Sequence, residues 1–90
     1  EALQRAATEL GLTQEQARAL SIQTFSGAAR LAAESSDDVG ILRERVTSKG
    51  GTTERALASM RDDKVVEAIV RAIHAANTRA GELGDILGKD

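Results

Sequence analysis

Apolar residues recur every three or four positions along most of the chain, and alternation with period two is sustained nowhere. Helices are therefore expected and strands are not. Leu3, Ala6, Ala7 and Leu10 share one face of a first helix over roughly residues 1–10. Gly11 suits the left-handed position that closes such a helix, and Thr13 then reads as the N-cap of the next, with Gln16 placed to complete a capping box and Leu12 to staple onto Ala17. The second helix is predicted from about Gln14 to Glu34. It carries two stripes, Ala17, Leu20, Thr24, Ala28, Leu31 and Ile22, Phe25, Ala29, Ala33, which predicts contact on two sides. Gly27 within it is either a tolerated surface glycine or the point of a close helix crossing.

Ser35-Ser36-Asp37-Asp38 interrupts the periodicity and offers caps for a short helix with Val39, Leu42 and Val46 on one face. Residues 47–52 are the one clear loop. Helix resumes near Thr53, with Ala56, Leu57 and Met60 turned inward, and Asp62 or Asp63 is expected to cap a last long helix reaching about Leu83. That helix carries Val65 or Val66, Ile69, Ile73, Ala76, Ala80 and Leu83 in one stripe. The tail from Gly84 to Asp90 is expected to fray. The fold class is all-α, a bundle of four to five helices.

Composition narrows the function. The chain has 90 residues, enough for a single domain, with Phe25 its only aromatic residue. A core so thin leads us to expect an oligomer that adds buried area. The absence of cysteine removes disulfides, zinc–thiolate sites and thiol catalysis. A formal net charge of −2 argues against a nucleic-acid partner. No apolar run approaches the roughly 18 residues of a membrane span, no signal peptide is visible, and a cytoplasmic location is expected. A start at Glu1 without Met leads us to expect a segment of a longer chain.

Candidate chemistry is sparse. His74, the sole histidine, lies within the last helix with no motif to partner it, so a structural or solvent-facing role is expected. Asp37-Asp38 and Asp62-Asp63 read as caps rather than acid–base pairs or metal ligands. Gly81, Gly84 and Gly88 follow no strand and make no dinucleotide fingerprint. No catalytic or metal-ligating residue is expected in this chain.

The exception is the loop Thr47-Ser48-Lys49-Gly50-Gly51-Thr52-Thr53. Two glycines open backbone geometries closed to other residues, and they precede a helix N-terminus, where free amides and the macrodipole favour an anion. Four hydroxyls flank them as further donors. Such a loop can hold a carboxylate or phosphate, although it lacks the order of a P-loop. On the residues alone, the plainer reading of a turn followed by an N-cap stands ahead of the anion site.

The run from Leu42 to Met60, Leu-Arg-Glu-Arg-Val-Thr-Ser-Lys-Gly-Gly-Thr-Thr-Glu-Arg-Ala-Leu-Ala-Ser-Met, resembles the C-terminal signature of pyrroline-5-carboxylate reductases. The Leu10-Gly11-Leu12-Thr13 restart, the Gly27-Ala28-Ala29 segment and the last helix resemble the same family, so the likeness covers nearly the whole chain. It implies an enzyme with an N-terminal NAD(P)H-binding Rossmann domain, absent from this chain, and a helical C-terminal dimerisation and substrate-binding domain, here residues 1–90. The implied reaction is reduction of 1-pyrroline-5-carboxylate to proline, by subunits whose helical domains interleave in a homodimer that can assemble further. By the same resemblance the loop grips the substrate carboxylate: Thr53 through hydroxyl and amide, Thr52 through its amide, with Ser48, Gly50 and Gly51 shaping the cradle.

Departures from the family pattern are Lys49 and Val39 at frequent proline positions, and a short link from Met60 to Val65 without a common Gly-Phe pair. The segment alone is expected to bind no cofactor and to be inactive. The alternative is a free-standing helical module that binds a protein or a small carboxylate such as proline, without a catalytic role.

Overall fold

The computed structural model describes residues 1–88 and is all-α, with five helices and no strand among the described residues. These residues fall into two compact units, Glu1–Arg45 and a second beginning at Val46.

In the first unit, α1 spans Ala2–Glu9 and α2 spans Gln14–Glu34. Their junction follows from local chemistry. Gly11 adopts φ +109°, its N–H bonds to the Thr8 carbonyl at 3.1 Å, and the Leu12 N–H bonds to the Ala7 carbonyl at 3.1 Å. Those two bonds form a Schellman closure. Two residues later Thr13 Oγ1 accepts the Gln16 N–H, while Gln16 Oε1 accepts the Thr13 N–H, both at 3.1 Å. The capping box is complete. This tight junction folds α1 back on α2 around Ala17, which is fully buried (0% exposed), with Ala7 of α1 and Leu12 of the junction half-buried.

The large apolar residues of α2, Leu20, Ile22, Phe25 and Leu31, stay in the open, Phe25 at 64% exposure. A Cβ added at Gly27 would meet nothing within 4 Å, so no close crossing is made there among the described residues. On the opposite side of the question, the hydroxyls of Ser21 and Thr24 turn back onto the carbonyls of Ala17 and Leu20, at 2.7 and 2.8 Å. They satisfy themselves locally, as such residues do inside helices. The short α3, Val39–Arg45, is opened by the Asp38 carbonyl, which accepts from Ile41 and Leu42. Asp37 is not a cap; its carboxylate pairs with Arg45 one helix length away. Val46 lies beyond α3 rather than on its face.

The second unit holds α4, Thr52–Asp62, and α5, Val65–Leu87. Here two expectations are corrected. Asp62 ends α4 and Asp63 is its C-cap, and neither caps α5. The Asp63 and Lys64 amides close α4 on the carbonyls of Ser59 and Arg61, and Lys64 reverses the chain in a single left-handed step (φ 54°, ψ 45°). With the turn made by one residue, α5 starts with no side-chain cap. The C-terminal end does not fray at Gly84: α5 continues through Leu87, and the Gly88 N–H bonds to the Gly84 carbonyl at 2.8 Å. A single interior glycine costs only about 1 kcal/mol, too little to stop a helix of this length. Lys89 and Asp90 lie outside the described residues.

A non-glycine residue in the left-handed region carries a steric cost of roughly 1 kcal/mol. Lys64→Gly is therefore expected to raise the melting temperature by a few degrees, since glycine is also tolerated at the N-cap that Lys64 occupies. Thermal denaturation followed by circular dichroism checks it.

The inward placement of the α4 stripe is also corrected. Leu57 is half-buried, but Ala56 and Met60 are exposed, and α5 has no buried residue at all. Val66, Ile69, Val70 and Ile73 form a continuous exposed apolar strip on α5. Periodicity identified Val66, Ile69 and Ile73; none of the described residues covers the strip.

Candidate functional site

The loop preceding α4 is a four-residue turn. The Gly51 N–H bonds to the Ser48 carbonyl at 3.0 Å, and Gly50 takes φ +76° at the third position. A positive φ there belongs to a type II turn, which favours glycine at this place and proline at the one before. Lys49 occupies that preceding place. Gly51 follows with φ −86° and ψ 180° as the N-cap of α4, and its carbonyl accepts the Arg55 N–H at 3.2 Å. A Cβ at Gly51 would stand 3.1 Å from the Ser48 carbonyl oxygen and 3.3 Å from the Ser48 Cβ, so the turn leaves little room for a side chain.

The amides of the loop divide into two groups. Gly51 is engaged by Ser48, and the Gly50 N–H is engaged by the Glu54 carboxylate at 3.0 Å. The first helical residues, Thr52 and Thr53, have no side chain capping them, because Gly51 has none to offer. Their N–H groups lie in the first turn of an eleven-residue helix, at the positive end of its macrodipole. Thr52 is exposed and Thr53 half-buried. Chemically the arrangement can donate two amides and two hydroxyls to one anion, and it contains no acid, base or nucleophile poised for bond breaking.

All five residues singled out in the sequence, Ser48, Gly50, Gly51, Thr52 and Thr53, thus lie in one turn and the helix start that follows it. Their parts differ: Ser48 contributes its carbonyl to the turn, and Gly50 and Gly51 have their amides engaged within the loop. Glu54 was missed. Its signal was an acidic residue three positions beyond the N-cap, the capping-box spacing, reaching here one residue further back than the N-cap itself.

His74 lies exposed on α5, and Gly81 and Gly84 are helical residues of α5. No group of three or more His, Asp or Glu that could hold a metal ion exists among the described residues. None of their helices is long and apolar enough to cross a membrane. An open depression of about 380 Å³ in the first unit is lined by Glu1, Gln4, Arg5, Thr8 and Gln14 and includes no residue of the loop.

A helical domain that, among the described residues, buries Ala17 alone and leaves apolar faces exposed on two long helices is built for assembly with other surfaces. Residues 1–83 match the family model for pyrroline-5-carboxylate reductase dimerisation, and the chain belongs to that family. It is 39% identical over 83 residues to pyrroline-5-carboxylate reductase 2 of Bacillus subtilis, covering 92% of this chain and 30% of that protein. The fold is similar to a pyrroline-5-carboxylate reductase from Coxiella burnetii, with TM-score 0.84 and 49% identity over 91% of this chain and 30% of that one. It is also similar to the Plasmodium falciparum pyrroline carboxylate reductase crystallised with NADP, with TM-score 0.88 and 26% identity over 92% of this chain and 32% of that one. The chain spans about a third of the length of these relatives.

Proposed function

We propose that this segment forms the subunit interface of a cytoplasmic homodimeric reductase that converts 1-pyrroline-5-carboxylate to proline with NAD(P)H, and that its loop grips the substrate carboxylate. The observation that carries the interface role is the pair of exposed apolar faces on α2 and α5 in a chain of the reductase dimerisation family. Two long helices with so little covered surface gain most of their burial from a second copy, which favours interleaved protomers over a small end-on contact.

For the loop, support comes from the first turn of α4. The Thr52 and Thr53 amides and the Thr53 hydroxyl are the donors, and Ser48, Gly50 and Gly51 give the turn its shape. Anions are favoured at such a helix start through both the free amides and the dipole. A carboxylate held there is oriented without being activated, so the part played by these residues is to fix the ring of the imine in place for reduction.

The residues present do not fit a dinucleotide. Among those described there is no strand to carry a glycine-rich phosphate turn, and the glycines after Gly51 belong to α5 or its C-cap. We assign NAD(P)H to a Rossmann domain elsewhere in the full-length protein. Full-length protein supplied with 1-pyrroline-5-carboxylate and NADPH is expected to oxidise the cofactor and release proline, whereas the isolated 90 residues do neither. Turnover by the pure segment, or none by the full-length protein with either nicotinamide cofactor, contradicts this reading.

A further inference from the structure

We propose that Glu54 is a positioning residue for the carboxylate-binding loop, holding the Gly50 peptide in the one orientation that leaves the start of α4 open to an anion. This inference rests on the carboxylate-grip reading above. The Gly50 N–H belongs to the central peptide of the Ser48–Gly51 turn, and Glu54 Oε1 accepts it at 3.0 Å. Type I and type II turns differ mainly by a flip of that central peptide, which changes φ at the third residue from about −90° to about +80°. Gly50 stands at +76°, and glycine on its own accepts either form.

The single backbone bond that closes the turn, from the Gly51 N–H to the Ser48 carbonyl, is compatible with both forms. Nor does φ of Lys49 decide, because φ at the second turn position is about −60° in both forms. The tether to Glu54 therefore selects between them. A flipped peptide turns the Lys49 carbonyl oxygen toward the side now taken by the Gly50 N–H, facing the first turn of α4. A carbonyl oxygen there sets a negative dipole against a bound carboxylate, and the amide on which Glu54 rests would be lost from that side. Glu54 is half-buried at the third helical residue, where its own charge is also favoured by the helix dipole.

The test is steady-state kinetics of the full-length reductase with 1-pyrroline-5-carboxylate, for Glu54→Ala, Glu54→Gln and, in parallel, Thr53→Ala. Glu54→Ala is expected to raise KM for the imine roughly three- to tenfold, the range set by losing one charge-assisted hydrogen bond at a partly exposed site, with kcat within about twofold. Glu54→Gln keeps an oxygen able to accept the Gly50 N–H, and is expected to recover most of that affinity. A merely structural role would lower melting temperature and active fraction in both variants without this KM-against-kcat split or the rescue.

Should Glu54→Gln behave like Glu54→Ala, or should either variant lower KM, the positioning role is overturned, the second result marking Glu54 as a competitor for the site. Thr53→Ala separates the two levels. A raised KM for Thr53→Ala with no effect of Glu54→Ala removes this inference alone, while no effect of Thr53→Ala removes the grip itself.

Discussion

Ile69→Asp combined with Ile73→Asp is expected to abolish self-association of the chain and, with it, most of its helix content. Both side chains are more than half exposed in the single protomer, at 55% and 64%, so a lone folded chain would tolerate the change with little cost. In a dimer that covers the α5 strip, the outcome differs in sign and size. Fully burying each isoleucine contributes roughly 1.5–3 kcal/mol, and a two-fold axis doubles every loss. Four aspartates then stand in a desolvated seam, where unpaired charge is costly and the like charges repel. A loss of several kcal/mol shifts the association constant by several powers of ten.

Helicity should fall together with association, because among the described residues only Ala17 is fully buried to hold the protomer. Isolated helices are marginal in water, and an obligate dimer has no stable folded monomer. Sedimentation velocity and far-ultraviolet circular dichroism, measured on the same samples, check both halves. An unchanged dimer would show that the α5 strip is not the seam.

Thr53→Ala in the full-length protein is expected to lower kcat/KM for 1-pyrroline-5-carboxylate about ten- to a hundredfold. Only the hydroxyl and a methyl group are removed; the Thr53 amide stays. A hydrogen bond to a charged group contributes roughly 1.5–3 kcal/mol, and each 1.4 kcal/mol is about a tenfold effect. The carboxylate is remote from the bond being reduced, so its grip acts on ground state and transition state alike and the loss should appear mainly in KM. Thr53→Ser keeps the hydroxyl and should lie within a few fold of the parent. Unaltered kinetics in Thr53→Ala would contradict the carboxylate grip.

What was legible in the sequence divides along the range of the interactions involved. The α1–α2 junction was readable because Gly11, Thr13 and Gln16 lie close together in sequence and act locally, and their bonds are those the spacing predicts. The α4–α5 junction was not, since Asp62 and Asp63 are good caps in isolation and only the left-handed Lys64 turns them to the end of α4. Stripes on α2 and α5 were visible as period, but period names an apolar face without saying whether the same chain or another covers it. At Met60 the difference matters, as it was expected to turn inward and lies exposed.

The loop was legible as a set of donors, and its five residues do lie in one turn and the helix start that follows it. Which amides remain open was not legible. That depends on the Gly50 dihedral and on Glu54 reaching past the N-cap, a side-chain choice among several of similar energy.

Because self-association is what the exposed faces of α2 and α5 demand, the solution mass of the 90-residue chain across a dilution series, with helicity recorded at each concentration, tests the account most directly. Twice the chain mass is predicted, with helix content falling in step as dilution splits the pair. A fully helical particle of single-chain mass at every concentration would contradict it.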